Sequence, residues 1–199
     1  MATAVRRVLV PLAAGCEELE AVTIIDLLRR AGIDVTVAGL AAGPVTASRQ
    51  VRLLPDTELG AIGAETFDLI VLPGGAEGAH RLGEDGRLAT LLRRQIGEGR
   101  LVAAICAAPT VLAQLGLLDH RRAVAYPGFL EPLRVPGLVL DPAATLIIDG
   151  PVITSRGPGT AMDFALCLIE CLTDRVTRDK VEDALQRPAA HRHDRPTTG

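Results

Sequence analysis

The stretch VLVPLAAGCEELEAVTIIDLLRRAGIDVTVAG, residues 8–39, decides the fold class. It begins with Val8–Leu12, a short apolar run typical of a buried strand. From Glu17 to Ala31 the apolar residues recur with helical period, and Gly32 follows as the glycine that commonly ends a helix. The segment Ile33–Gly39 predicts a second strand. Because strand, helix and strand follow one another, we expect a right-handed crossover that joins two parallel strands.

The same alternation continues along the chain. Apolar runs predict core strands at Phe67–Pro73 and Leu101–Ile105. Further helices are predicted at Gly86–Glu98, Ala107–Leu115, Gly159–Leu172 and Thr173–Gln186, a small hairpin at Val45–Leu54, and short strands at Ala123–Tyr126, Leu138–Leu140, Leu146–Ile148 and Val152–Thr154. Apolar strands that alternate with helices favour a doubly wound α/β fold. We expect a mostly parallel sheet with helices on both faces and small antiparallel additions.

Length and composition limit the number of domains and the kinds of binding partner. The 199 residues suit one domain over residues 1–186, followed by a polar tail at residues 187–199 that we expect to be disordered. Hydrophobic residues make up 48% of the chain but aromatic residues only 2%, so the core is expected to consist of aliphatic side chains. The net charge of −3 and the few aromatic faces argue against specific nucleic-acid binding.

Cysteine usage and hydropathy bear on location. No apolar stretch reaches the roughly 18–20 residues that a membrane span needs, and Pro11 breaks the N-terminal apolar run, which favours a strand over a signal peptide. The four cysteines, at positions 16, 106, 167 and 171, show no framework typical of secreted proteins. We therefore expect free thiols in a reducing compartment, and hence a cytoplasmic protein without membrane contact.

Candidate functional residues follow three of the predicted strands. Glu17, Glu18 and Glu20 come after the first strand, Gly74-Gly75 after the third and Cys106 after the fourth. In open α/β sheets, ligands bind beyond the carboxyl ends of the strands. The topology therefore predicts that these residues, although distant in sequence, meet at one site.

Cys106 is the candidate nucleophile. A thiol at a helix N-terminus experiences the positive end of the helix dipole, and we expect its pKa to fall from about 8.5 toward about 4–7. The backbone N–H groups of Gly75 and Ala107 could then stabilise a developing oxyanion. A buried structural cysteine is the equally plain alternative, since free cysteine is among the most buried residue types.

Glu20 is the candidate acid. Capping or solvation of a helix start is the simpler interpretation of Glu17 and Glu18, and a structural role is the alternative for Glu20 as well. Glu20 lies next to the apolar residues of its helix, where desolvation would raise its pKa. A protonated Glu20 could hydrogen-bond the Cys106 thiolate and later transfer a proton.

The other cysteines are interpreted as packing residues. Cys167 and Cys171 have i, i+4 spacing on an apolar helix and could hold two metal ligands, but no histidine or further cysteine pair accompanies them. Cys16 lies just before the acidic segment and could pair with Cys106, although a packed small side chain is favoured. We therefore predict no metal site.

Five strings carry a resemblance to a known family: EELEAV (17–22), DLLRRAG (26–32), VLPGG (71–75), AAICAAPT (103–110) and TSRGPGT (154–160). In this order and spacing they resemble the ThiJ/PfpI superfamily, specifically its branch of Parkinson's-disease-linked deglycases and glyoxalase III enzymes. The resemblance covers almost the whole chain and implies a flavodoxin-like fold. It also implies a homodimer, with the first helix and the segment Arg156–Gly159 at or near the subunit contact.

The resemblance also implies a site and an activity. Cys106 becomes the nucleophile, Glu20 its hydrogen-bonded acid, and Gly75 and Ala107 the oxyanion donors, with Gly74 and Tyr126 beside the substrate. Family activities include glutathione-independent conversion of 2-oxoaldehydes such as methylglyoxal and glyoxal, and repair of early glycation adducts on proteins and nucleotides. Neither requires a metal or organic cofactor. Redox sensing through an oxidised Cys106, or chaperone action, is the alternative function.

Two positions depart from the family pattern. Ala107 stands where the peptidase-like and chaperone-like branches carry histidine, which argues against protease activity. Tyr126 stands where the deglycase branch often has histidine, and tyrosine, with a pKa near 10, is a poor base at neutral pH. A cysteine hydrolase or amidotransferase would need a histidine base, and none of the four histidines lies beside a recognised motif.

Overall fold

A central sheet is the framework of the protein. The computed structural model describes residues 5–188. The strands are β1 Arg7–Leu12, β2 Asp34–Gly39, β3 Val45–Thr46, β4 Arg52–Leu53, β5 Thr57–Glu58, β6 Leu69–Leu72, β7 Leu101–Ile105, β8 Arg122–Ala123, β9 Val139–Leu140, β10 Leu146–Asp149 and β11 Val152–Ser155. The helices are α1 Glu18–Arg30, α2 Ala76–Glu84, α3 Gly86–Gly97, α4 Pro109–Gln114, α5 Ala161–Leu172 and α6 Arg175–Ala184.

The order of strands in the main sheet is β10-β11-β7-β6-β1-β2-β5. Each neighbouring pair is parallel except β10 and β11, which form an antiparallel pair at one edge. From β1 the chain winds outward through β2 on one side, and from β6 through β7 and β11 on the other. This is the flavodoxin-like, doubly wound arrangement, and its topological switch point lies between β1 and β6.

The core is aliphatic, as the composition predicts. Strands β6 and β7 are buried almost throughout, because helices cover the sheet. Helix α1 packs against α5, and α2 packs against α3 and α4. Phe164 of α5 is one of the few aromatic side chains in the core and is fully buried. The predicted hairpin is confirmed, since β3 and β4 pair antiparallel.

Helix α2 is an element that the sequence did not predict. Its segment AEGAHRLGE holds two glycines and few apolar residues, so local propensity for helix is weak. Gly78 allows the helix to lie directly on the loop after β1, because a Cβ there would stand 2.6 Å from both N and Cα of Cys16. Helix α2 therefore packs closely on the Cys16 backbone, a tertiary contact that no local sequence pattern encodes.

Arg187, shortly after the end of α6, contacts the body of the protein. Arg187 donates a hydrogen bond to Asp163 at 2.7 Å and to Glu182 at 3.3 Å. Folded structure thus extends at least to Arg187, a residue that the sequence analysis placed in the expected disordered tail. Residues 189–199 of the predicted tail lie outside the described residues. Within residues 5–188, none of the helices has the length and apolarity needed to span a bilayer.

Candidate active site

Cys106 lies at the elbow between β7 and α4. Its backbone has a φ of +64°, a left-handed conformation that costs a non-glycine residue about 1–3 kcal/mol. Two hydrogen bonds fix this turn: the N–H of Cys106 donates to the Ser155 carbonyl at 3.0 Å, and the N–H of Tyr126 donates to the Cys106 carbonyl at 2.9 Å. The side chain is 7% exposed, so the elbow presents a nearly buried sulfur.

Glu20 lies behind this sulfur, in the first turn of α1. It is completely buried. Its Oε2 accepts a hydrogen bond from the Gly74 N–H at 2.7 Å, whereas Oε1 has no hydrogen-bond partner among the described residues. Burial raises the pKa of Glu20 to about 7, against the opposing effect of hydrogen bonds from Gly74 and Cys106. The carboxyl group can therefore gain or lose a proton near neutral pH, as the sequence predicted from its position.

The two glycines after β6 allow this close approach. A Cβ on Gly74 would stand 2.6 Å from the Cys106 Cβ and 2.7 Å from the Glu20 Oε2. Gly75 has a φ of +87°, and a Cβ there would stand 2.3 Å from the Gly15 carbonyl oxygen. The N–H of Gly74 donates to Glu20 and its carbonyl accepts from the Glu17 N–H, so the Gly74 backbone positions Glu20. The contact of Gly74 with a substrate stays a prediction.

The protonation of Cys106 differs from the sequence expectation. Burial and the negative charge of Glu20 raise the pKa of the thiol to about 12, although hydrogen bonds from the N–H groups of Gly75 and Ala107 act to lower it. The expected lowering by a helix N-terminus is wrong here, because α4 begins only at Pro109 and is short. The two N–H groups that the sequence assigned to an oxyanion do converge on the sulfur.

Cys106 and Glu20 thus form a coupled pair. The pair loses its first proton near neutral pH and its second only in strong base. Between these limits it carries one negative charge and one proton. The N–H groups of Gly75 and Ala107 favour the charge on sulfur, and the unpartnered Oε1 of Glu20 offers a place for the proton. This monoanion is the form able to act as a nucleophile.

A cavity of about 670 Å³ opens in front of the sulfur. Cys106, Gly75 and Ala107 line its floor. Tyr126 lines it as well, is 47% exposed, and packs edge-on against Phe129 with ring centroids 6.1 Å apart. Glu17, a candidate from the sequence, also lines the cavity. The other lining residues, which sequence reasoning missed, come from several loops: Ala14, Gly15, Thr46, Ala47, Ser48, Arg49, Gln50, Ala76, Glu77, Arg81, Phe129 and Pro158.

Glu18 connects α1 to the hairpin over the cavity. Its Oε2 accepts from the Ser48 hydroxyl at 2.8 Å and its Oε1 from the Arg49 N–H at 2.7 Å. The side chain is 8% exposed, so the interpretation of Glu18 as a solvated or capping residue is wrong. Glu17 does cap the helix, accepting from the Glu20 N–H at 2.8 Å.

The remaining cysteines do not join the site. All four cysteines are free thiols. Burial raises the pKa of Cys16 to about 11, and this residue lies under α2 outside the cavity lining. Cys167 and Cys171 belong to α5. In the part of the chain that the structure describes, no three metal-binding side chains form a cluster.

The fold and the site together define a flavodoxin-like protein with a buried Cys–Glu pair at the carboxyl ends of its strands. The chain belongs to the DJ-1/PfpI family, whose model matches residues 6–171. It is 47% identical over 176 residues to Protein dj-1beta of Drosophila melanogaster, covering 88% of this chain and 92% of that protein. The crystal structure of this Drosophila protein superposes with a TM-score of 0.87 at 44% identity, covering 92% of this chain and 99% of that one.

Two further relatives bear on function. The glutathione-independent glyoxalase DJR-1.2 of Caenorhabditis elegans is 38% identical over 156 residues, which is 78% of this chain and 82% of that protein. A structure of oxidized Toxoplasma gondii DJ-1 superposes with a TM-score of 0.84 at 40% identity, covering 90% of this chain and 97% of that one. The family resemblance and the flavodoxin-like fold expected from the sequence are therefore confirmed.

Proposed function

We propose that the protein is a cofactor-free, glutathione-independent glyoxalase that converts 2-oxoaldehydes such as methylglyoxal and glyoxal into 2-hydroxy acids. The observation that carries the proposal is the coupled Cys106–Glu20 pair beneath an open cavity. A carboxyl group that titrates near pH 7 beside a nucleophilic sulfur suits proton transfer during covalent catalysis. The C. elegans glyoxalase among its relatives supports the assignment.

Addition to the aldehyde is the first step of the proposed mechanism. The Cys106 sulfur bonds to the aldehyde carbon of methylglyoxal, and the carbonyl oxygen takes up the proton of the pair to give a hemithioacetal. The N–H groups of Gly75 and Ala107 lie beside the sulfur, where they can stabilise the charge that develops on this oxygen. The Tyr126 side chain lines the same cavity, so its hydroxyl is available to donate a hydrogen bond to the second carbonyl group.

An internal redox step and hydrolysis complete the mechanism. Glu20 removes the proton from the sulfur-bearing carbon and a proton returns to the neighbouring carbon, through an enediol. The first carbon is oxidised to a thioester and the second is reduced to an alcohol, so no external oxidant is needed. Water then cleaves the thioester, releasing lactate and restoring the thiol. Addition of Cys106 to an early glycation adduct, followed by release of the free amine or thiol, would give the deglycase activity that we propose alongside.

Lactate formation from methylglyoxal, in amine-free buffer without glutathione, tests the proposal. We expect turnover by the wild type and a loss of at least about 100-fold in Cys106→Ser and Glu20→Gln, since each removes a member of the pair. Cys171→Ser is the matched control, because Cys171 is an exposed cysteine outside the cavity, and should keep full activity. Absence of turnover by the wild type would exclude the glyoxalase assignment.

A redox-responsive protein is the second candidate. The structure of a relative was determined in an oxidized state, and the donors around the Cys106 sulfur could equally bind the oxygens of a sulfinate. Peroxide would then convert Cys106 to sulfinic acid with little turnover of aldehydes. Intact-mass measurement after peroxide treatment, beside the lactate assay, separates the two candidates.

We also propose a cytoplasmic homodimer. Leu19 and Val22 of α1 are large apolar side chains that are about half exposed, and Met162 at the start of α5 is exposed as well. The family resemblance, which implies a subunit contact at the first helix, supports this proposal. Sedimentation analysis of the wild type should give twice the chain mass, and a monomer at micromolar concentration would contradict the dimer. The cytoplasmic location rests on the four free thiols.

A further inference from the structure

Helix α5 carries two thiols, Cys167 and Cys171, that the proposed reaction does not use. Cys167 and Cys171 lie four positions apart near the end of the helix, and this i, i+4 spacing places them on one face. Cys167 is buried and Cys171 is exposed. Each thiol shifts the pKa of the other, so the two groups interact. Neither lines the cavity in front of Cys106, so they form a separate cluster.

The electrostatic surroundings of the pair come from α5 itself and from α6. The interaction with Cys171 and burial raise the pKa of Cys167, and the positive charge of Arg178 acts in the opposite direction. The same interaction lowers the pKa of Cys171. The negative charge of Glu170 opposes ionisation of both. Arg178 is fixed by ion pairs to Glu182 at 2.8 Å and to Asp179 at 2.6 Å.

Helix geometry disfavours a disulfide between these cysteines. Side chains at i and i+4 have Cβ atoms about 5–6 Å apart, whereas a disulfide needs about 3.5–4.5 Å. A disulfide would therefore require the last turn of α5 to unwind. That turn is held by a hydrogen bond from the Thr173 N–H to the Ile169 carbonyl at 2.9 Å. A metal ion spans the gap more easily, because two metal–sulfur bonds of about 2.3 Å replace one S–S bond of about 2.0 Å.

We propose that Cys167 and Cys171 form a two-coordinate binding site for the soft monovalent ion Cu(I). Within residues 5–188, no third metal-binding side chain joins the two cysteines to form a cluster. Zinc almost always takes four ligands in a structural site. Thiolate sulfur selects Cu(I), which accepts two ligands in a line. On binding, two S–H bonds break and two Cu–S bonds form. Both protons pass to solvent, copper keeps its oxidation state, and Arg178 lies near the resulting single negative charge.

Anaerobic titration with Cu(I) against the chromophoric chelator bicinchoninate tests the site. The background is Cys106→Ser, which removes the active-site thiol. We expect one Cu(I) per chain, an affinity at least about 100-fold weaker after additional Cys171→Ser or Cys167→Ala, and no change after additional Cys16→Ser. Cys171 is exposed, so its serine variant should fold, and circular dichroism checks each variant.

X-ray absorption at the copper edge gives an independent measurement. We expect two sulfur neighbours and no third ligand. Unchanged copper affinity in Cys171→Ser, or a third sulfur or nitrogen neighbour, would overturn the proposal. Copper held between Cys171 residues of two chains would also show two sulfurs, but it would survive Cys167→Ala, and that result would overturn the proposal too.

Discussion

The Cys106 sulfur lies among groups that act on its proton in opposite directions. Burial and a negative Glu20 favour the thiol, whereas the N–H groups of Gly75 and Ala107 favour the thiolate. Because Glu20 itself titrates near pH 7, its protonation removes the charge that opposes the thiolate. At the scale of single residues, reactivity is therefore a property of the pair.

The pH dependence of alkylation tests this coupling. In the wild type, the rate at which iodoacetamide labels Cys106 should rise roughly tenfold between pH 5 and pH 6 and level off above about pH 7, as the neutral pair becomes a monoanion. In Glu20→Gln the step near pH 7 should disappear. Peptide mass spectrometry measures the labelling, with Cys171 in the same digest as internal control. The same pH profile in both proteins would show that Glu20 is not the titrating group.

At the scale of elements, the placement of α2 and of the β3–β4 hairpin shapes the site. The alternation of residues 45–54 predicted the hairpin, but nothing local indicates that it lies over the cavity. Its position follows from the buried carboxylate of Glu18, which holds Ser48 and Arg49. Helix α2 in turn depends on Gly78, which allows it to lie against the Cys16 backbone.

Gly78→Ala should therefore destabilise the protein. We expect the free energy of unfolding to fall by about 1–3 kcal/mol, because the new methyl group meets backbone atoms that cannot move aside independently. Gly97→Ala is the matched control, since a Cβ at this helical glycine meets nothing within 4 Å, and it should be neutral or stabilising by up to about 1 kcal/mol. Urea unfolding measures both variants, and equal effects would show that the contact with Cys16 is unimportant.

At the scale of the whole molecule, a buried Glu20 links stability to pH. Its pKa is raised from 4.5 to about 7 on folding. Below pH 4.5 both states hold the proton. As pH rises from 4.5 to 7, the unfolded chain releases it while the folded protein retains it, so the folded state loses stability. Retaining this carboxyl group in the core therefore weakens the fold at neutral pH.

Glu20→Gln should remove this dependence. Between pH 5 and pH 8, the free energy of unfolding of the wild type should fall by about 2.5 kcal/mol relative to Glu20→Gln. Glu84→Gln, at an exposed position on α2, should show the wild-type decline. Chemical denaturation at each pH measures the difference. A constant difference between wild type and Glu20→Gln would mean that Glu20 has no raised pKa in the folded state.

The sequence by itself determined the doubly wound class and predicted that Glu20 and Cys106 lie at one site. Strand, helix and turn patterns are local, so they predicted the β-α-β opening and the ends of the strands at which Glu20 and Cys106 lie. Only the tertiary structure decided that Gly74 holds Glu20, that Glu18 holds the hairpin, and that the Cys106 thiol has a raised pKa. These properties depend on burial and on contacts between residues distant in the chain, which a linear pattern does not encode.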